Sequence, residues 1–513
     1  MAVIVNPFIV ATLLTFVIVK LTSWLWHRYQ KIRQCDELGL KGPPANLILG
    51  NFSQMKQLLA ELNKTGDVRH FCADLIQKYG STVRFLLGAD LQVLTVDPKV
   101  IKEVFVTKFS KFTNRPAAFF NTYPLGESVL AVSRAGWPGR KYGWKEIRST
   151  VQQSLRPSRI KMMFPVMLNQ TKTLMNSWRK QINDGETKEF GIYDEFQALT
   201  VDVICECSFG FALNSVENRK HPFFLACVKL FSEFSLEKSW GMYLSMVFPT
   251  LSSYTFSFSK LGKCAYRLCA YLESLIKQRM KNRNVESSDL IETFLNENDR
   301  LAKEKRPQFH LDTIVSNCFA LLLAGYDTTS NSMTYAVNLI GQYPEVAQRL
   351  NDEIQELFGD SDPSYDALMK APYLDAFFRE TLRFYPPITF FANRVATEDV
   401  KLESIDVTIP KGATIVAPVH LVCGQEGIWE NPDEFNPERF LNRSTSAPTT
   451  EWMAFGCGPR NCVGFLFAEV EFKITVVEIL KHFHISKTSP MNLEIVSVLL
   501  RPSDPVKVSL AKR

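Results

Sequence analysis

The stretch FGCGPRNCVG, from Phe455 to Gly464, sets two cysteines five residues apart among three glycines, a proline and one arginine. A cysteine acts as a metal ligand or nucleophile only as the thiolate, so its neighbours must keep the anion ionised and unreactive. Around Cys462 the sequence supplies such means. Gly458 can take the positive φ of a tight turn, and Gly464 lets the backbone come close to a flat ligand. A helix predicted from about Val463 to Lys481 would turn its first amides and its dipole toward the sulfur. Arg460 can reach an anionic group on that ligand, and Phe455 can cover the sulfur side. Read alone, the same cysteine is equally a small buried hydrophobe. A zinc site would need further Cys or His at ligand spacing, and the surrounding sequence offers none.

A second chemistry-bearing run is AGYDTT, Ala324 to Thr329, inside a long apolar stretch from 311 to 345. Gly325 weakens a helix by about 1 kcal/mol relative to alanine, and a threonine can divert its hydroxyl to the backbone. Together they favour a local opening, beside which Asp327 and Thr328 form an acid–alcohol pair able to pass protons. The plainer reading is a packing glycine with two threonines. Glu380 and Arg383 lie three apart on one helix face and can pair, as such residues do on many solvated helices. Trp144 and Arg148 stand one turn apart and can reach one ligand edge. Trp137 is a rival start, but it puts Lys141 where the arginine belongs. Arg394, in FANRVA, is a further cation; for it and for Arg148 the alternative is plain surface solvation. Arg134, Arg140, Lys141 and Lys145 surround this segment with little compensation beyond Glu146, a pattern that suits either an acidic partner or a solvated face.

The stretch resembles the F-x-x-G-x-R-x-C-x-G signature of the cytochrome P-450 enzymes, with Phe455, Gly458, Arg460, Cys462 and Gly464 at all five fixed positions. At about 5% usage per residue type, a chance match in such a chain is about one in 10^4. AGYDTT is similar to the family's oxygen-binding motif, Trp144 and Arg148 to its W-x-x-x-R, and Glu380, Arg383 and Arg439 of NPERF to its structural triad. The motifs run in family order from Pro43 to Gly464, so the resemblance spans essentially the whole chain. It implies a heme b whose iron Cys462 holds as the axial thiolate and only metal ligand, pushing electron density that favours O–O cleavage. It also implies that Arg460, Trp144, Arg148 and Arg394 lie along the heme edge, with Phe455, Gly464 and Ala324 against its faces. Asp327 and Thr328 would then be the catalytic pair, and Cys457 a packed thiol.

These residues need a scaffold, and the chain of 513 residues is long enough for a large domain. Composition is ordinary for a globular protein at 46% apolar and 22% charged. A net charge of +6 with no basic low-complexity arm argues against a nucleic-acid partner. Eleven cysteines without paired spacing fit a reducing compartment. From about 144 to 385 the pattern is of long helices, with strand-like runs at STVRFLL and LQVLTV before it. After Pro386 come short strands and Pro-rich turns. The expected fold is mostly α with a small β portion, the cytochrome P-450 fold, preceded by one N-terminal transmembrane helix.

That helix is expected at 1–26, uncharged for its first 19 residues, with Trp24 and Trp26 at the interface and Arg28, Lys31 and Arg33 on the cytoplasmic side. A basic, Pro-containing linker at 27–45 and a cytosolic heme-binding catalytic domain at 46–513 would follow. The N-x-S/T sequons at Asn51, Asn63, Asn169 and Asn442 would then stay unmodified in an endoplasmic-reticulum membrane protein facing the cytosol.

The resemblance implies a monooxygenase of the animal detoxifying and steroid-hydroxylating type. Its electrons would come from NADPH through a membrane-bound NADPH–cytochrome P-450 reductase, with cytochrome b5 as a further partner. The substrate would be a small apolar molecule, a sterol, fatty acid or xenobiotic. Wall positions are Phe119, Phe120, Ala324, Thr389 to Phe391, Val498 and Leu499. Two other readings compete: a reductase-independent heme-thiolate isomerase or dehydratase, and a non-catalytic heme sensor.

Overall fold

A single helix, Leu311–Gln342, runs through the core with 24 of its 32 residues buried. Its apolar residues fall on every face, as suits a helix surrounded by protein, with small polar residues such as Ser316, Ser330 and Thr334 buried among them. It stops where Tyr343 precedes Pro344, because the residue before a proline resists the helical conformation. Pro344 then opens the next helix, at a position where its missing amide costs nothing. The computed structural model describes residues 7–65, 72–88, 90–116, 122–233, 251–283, 289–441 and 449–513.

Four helices fix the surroundings of this central one. Ile192–Phe209 lies against it, as do Lys260–Lys281 and the late helix Phe465–His482, while Pro372–Phe384 crosses near the end of the site. The β portion is small, as the sequence suggests. In chain order its strands are β1 (Thr82–Leu87), β2 (Asp90–Thr95), β3 (Thr187–Gly191), β4 (Asn393–Val395), β5 (Val400–Leu402), β6 (Val407–Ile409), β7 (Thr414–Val416), β8 (Phe483–Thr488), β9 (Leu493–Val496), β10 (Leu499–Pro502) and β11 (Lys507–Lys512). The largest sheet has the order β1-β2-β7-β4. β1 and β2 form an antiparallel hairpin, and β2 pairs in parallel with β7, Val93 opposite Ile415. β4 closes the sheet on β7 and holds Arg394 opposite Ile415. The alternation of this sheet feeds a second apolar cluster, around Phe105, Ile415 and Met453, under the cysteine loop.

The N-terminal segment differs from expectation. One helix runs without a break from Pro7 to Asp36, so the first ten residues of the expected linker are helical. Arg28 does not flank a membrane as a free cation. It is buried, donating to the carbonyl oxygens of Leu47 at 3.1 Å, Ile48 at 3.2 Å and Gly88 at 2.5 Å. Among the described residues no helix is long and apolar enough to cross a membrane. Residues 1–6 of the expected span lie outside the described part. Leu14, Phe16 to Val19 and Leu21 do present their side chains outward. Asn51, a predicted sequon, is fully buried between Pro44 O and the Leu86 amide. Asn442 lies outside the described residues.

Candidate functional site

The cysteine loop is built on glycine at one position above all. Gly458 has φ +72°, and a Cβ there would sit 1.9 Å from the Phe105 carbonyl oxygen. That turn lets Asn461 N reach Gly458 O at 3.0 Å and Cys462 N reach Phe455 O at 2.8 Å. The helix after it begins at Phe465, with Gly464 at its cap. Cys462 therefore lies ahead of the helix rather than at its first turn, and the amide that meets its sulfur is that of Gly464. Gly464 has an ordinary φ of −93°, and a Cβ there would stand 3.9 Å from Sγ, so its contribution is space beside the sulfur. Cys462 is enclosed by protein yet accessible, because it opens onto an internal cavity. Burial pushes its thiol pKa up; the Gly464 amide and the guanidiniums of Arg148 and Arg115 oppose that.

The cavity is about 280 Å³ and is lined by no carboxylate among the described residues. It is instead ringed by four arginines, Arg115, Arg148, Arg394 and Arg460. Each makes some hydrogen bonds to the protein: Arg115 to Phe391 O at 2.6 Å, Arg394 to Asn393 O at 2.7 Å and Arg460 to Val132 O at 2.5 Å. Arg148 holds Asn461 through both its carbonyl and its side chain, at 2.8 and 2.9 Å. Yet the Nε of all four, and Nη1 of Arg460, are buried without a partner. Burial depresses all four, and repulsion from the other arginines adds to it for Arg115, Arg394 and Arg460. Arg460 is held down to about 9, by burial first and then by Arg394 and Arg148. Arg394 falls to about 10. Buried, unpaired cations are costly unless an anion meets them. A planar heme with two propionates brings that anion, an apolar disc and an iron for Cys462, so the residues fit the group.

The remaining expected residues divide. Trp144 is buried at the start of Trp144–Ser154 and stacks under the Arg460 guanidinium at 4.6 Å. Phe455 lines the cavity and packs edge-on against Phe465 at 4.7 Å. Ala324 is accessible although most of its helix is buried, because it too faces the cavity. Thr328 lines the same wall, its Oγ1 donating to Ala324 O at 2.5 Å. The expected opening of the helix is absent, since Leu311–Gln342 is continuous. Asp327 is not brought to the cavity. It points to Ile192–Phe209, where Oδ1 accepts from Tyr193 at 2.6 Å and Gln197 at 3.2 Å. Burial raises its pKa.

Behind the loop, Glu380 is fully buried and accepts from Arg383 Nε and Nη2 at 2.7 and 2.8 Å. Arg439 Nε adds 3.0 Å and the Asn436 amide 2.9 Å, so the expected triad is assembled. Trp137 covers Gly126, away from the cavity. The basic cluster is less free than expected, for Arg140 is paired with buried Glu127 at 2.9 Å, and Glu146 caps the Gly143 amide. Of the wall positions, Phe391, Val498 and Leu499 line the cavity, while Thr389 and Phe390 do not. Phe119 and Phe120 lie outside the described residues.

Two residues of the site escaped the sequence reading. Arg115 carried one signal, a cation directly before a proline in an aromatic segment (FTNRPAAFF). Tyr193 carried none, because its partner is 134 residues away.

Comparison with known proteins follows the geometry. The family model for Cytochrome P450 matches residues 40–510. Cytochrome P450 3A29 of Sus scrofa is 30% identical over 489 residues, covering 93% of this chain and 92% of the relative. Cytochrome P450 3A13 of Mus musculus is 29% identical over 448 residues (85% and 86%). Cytochrome P450 3A5 of Homo sapiens is 28% identical over 487 residues (93% and 92%).

Proposed function

The chain belongs to the cytochrome P450 family, and from that premise we propose which of its residues run the monooxygenase reaction and on what class of substrate. When bound, the heme supplies dioxygen activation with electrons passed from NADPH by a reductase, one oxygen atom entering the substrate and the other leaving as water. Cys462 Sγ would hold the iron. Arg115, Arg148, Arg394 and Arg460 would hold the propionates through their Nε donors and Nη1 of Arg460, which have no protein partner. Trp144 keeps Arg460 in place from beneath, and Phe455 excludes water from the sulfur.

On the opposite wall Thr328 offers a hydroxyl beside Ala324, and Asp327 stores a proton behind it. Leu321, Ile388, Phe391, Val498 and Leu499 give the substrate an apolar wall, which supports a small apolar molecule such as a sterol, fatty acid or xenobiotic. The outward apolar side chains from Leu14 to Leu21 support an anchor at 1–26 in the endoplasmic-reticulum membrane with the body in the cytosol. There NADPH–cytochrome P450 reductase and cytochrome b5 would be the electron donors.

The observation that carries this reading is a cysteine sulfur facing a cavity ringed by four incompletely partnered guanidiniums. Its test is the difference spectrum of the reduced, carbon monoxide-bound protein beside Cys462→Ala. A red-shifted thiolate-type band present in the parent and lost in the variant is expected. A histidine-type band in the parent would refute the assignment.

A further inference from the structure

The cavity wall beside Thr328 is not made by the central helix alone. Gly325 lines the cavity, as do Ala324 before it and Thr328 after it, and a glycine has no side chain with which to close the wall. A Cβ built there would land on Ile204 Cδ1, with Ile204 Cγ1 at 3.6 Å. Among the described residues, and its chain neighbours aside, no other side chain comes within 4 Å of that point. Ile204 belongs to Ile192–Phe209, the helix packed along the central one, and it too lines the cavity. A hydrogen bond from Thr200 Oγ1 to Tyr326 O at 3.0 Å pins that helix one turn before Ile204. The bare backbone of Gly325 lets the two helices close in, so an isoleucine from the neighbouring helix occupies the notch. Ile204 is otherwise enclosed, at 3% exposure, and a β-branched side chain in a helix has few rotamers with which to swing away. The wall at this point is therefore rigid.

We propose that Ile204 is a specificity-determining residue of the monooxygenase, setting the width allowed to the substrate where it meets Thr328. The inference rests on reading this cavity as the substrate site. Ala324 and Thr328 face the cavity on either side of the notch, so a substrate lying against them lies against Ile204 as well. The wall there admits a slim, unbranched alkyl chain or the edge of a flat ring. It turns away a branched carbon at the same depth. A hydrophobic pocket discriminates by about tenfold or more for a single methylene. Deleting Ile204 beyond Cβ therefore opens a side recess. A methyl placed on Gly325 closes it again, because the new carbon takes the site of Cδ1.

n-Butylbenzene and tert-butylbenzene test this, because the two isomers contain the same atoms and differ in branching alone. Each is titrated into the heme-loaded full-length protein, and the Soret shift on its entry gives its Kd. The parent should favour the n-butyl isomer. Ile204→Ala should move the ratio of the two constants at least about tenfold toward the tert-butyl isomer. The double variant Ile204→Ala with Gly325→Ala should bring the ratio back toward the parent value. A merely structural role for Ile204 would weaken both isomers together and leave the ratio unmoved, which would overturn the proposal. So would a double variant that keeps the ratio of Ile204→Ala, since the notch would then lie outside the substrate's reach. If Ile204→Ala does not hold heme, Ile204→Val is read in its place. A smaller shift in the same direction supports the proposal there, and an unchanged ratio overturns it. Failure of the underlying substrate reading looks different: neither isomer shifts the parent's spectrum although its carbon monoxide band is of the thiolate type, and the proposal falls with it.

Discussion

Removing one guanidinium from the cavity ring should move the heme-free and heme-loaded proteins in opposite directions. Arg460 is the residue to use, since it is buried and held down to about 9 from its usual 12.5. That depression corresponds to about 5 kcal/mol of disfavoured charge in the folded, heme-free chain. Arg460→Met keeps the apolar stem while deleting the charge. It also loses the bond to Val132 O and the stacking over Trp144, together about 2 kcal/mol. The heme-free protein should therefore gain about 2–3 kcal/mol. The loaded protein loses both a propionate contact and the relief of repulsion that heme brings, so heme affinity should fall at least about tenfold. Urea unfolding followed by tryptophan fluorescence reads the first effect, and heme transfer to apomyoglobin reads the second. If the heme-free protein is destabilised by Arg460→Met, or if affinity is unchanged, the account of the ring as a set of cations awaiting an anion is wrong.

Glu380→Gln leaves the Arg383 cation buried with only carbonyls for company, and should cost about 3–5 kcal/mol, seen as earlier thermal loss of the thiolate-type band. The pair Glu380→Gln with Arg383→Met should recover part of that loss. Gly458→Ala forces a Cβ against the Phe105 carbonyl at a positive φ, so it should abolish heme retention while leaving far-ultraviolet helicity near the parent level. Glu103 is brought to about 2 because hydrogen bonds from Lys108, Ser404 and the Glu403 amide outweigh the upward push of burial. A depressed carboxyl stabilises above its unfolded value, and that contribution is lost as pH falls from about 4.5 toward about 2. Glu103→Gln should therefore be less stable at pH 7, and its stability should change less across that acid window.

How far the sequence could be read depended on whether partners lie close along the chain. The cysteine loop was legible because its constraints fall within ten residues, Gly458 turning the backbone and Cys462 following. The central helix was legible from its apolar run, and the Glu380 triad from two short motifs. What escaped came from distant segments. Arg115 joins the ring only because β4 brings Arg394 beside it, and Tyr193 meets Asp327 through the packing of two helices. The sequence reading sets Asp327 at the cavity, but the helix gives that wall to Thr328 and Thr329 and turns Asp327 toward Ile192–Phe209, which no local signal shows. Arg28 was read as a membrane-flanking charge because nothing in its neighbourhood shows the carbonyls of Leu47, Ile48 and Gly88.

The parallel pairing of β2 with β7 also sets a timetable for the chain as it is made. Thr95 leaves the ribosome some 320 residues before Thr414. At roughly 5–20 residues per second, β2 waits between a quarter of a minute and a minute for its neighbour. During that interval one edge of the hairpin is bare, with Val93 and Leu94 on a strand that can pair with any passing chain. Pairing at that bare edge should then be seen in nascent protein stalled before Thr414 and be lost once Val416 has emerged. The cysteine loop emerges later still, so iron is gathered by a body whose sheet has already closed.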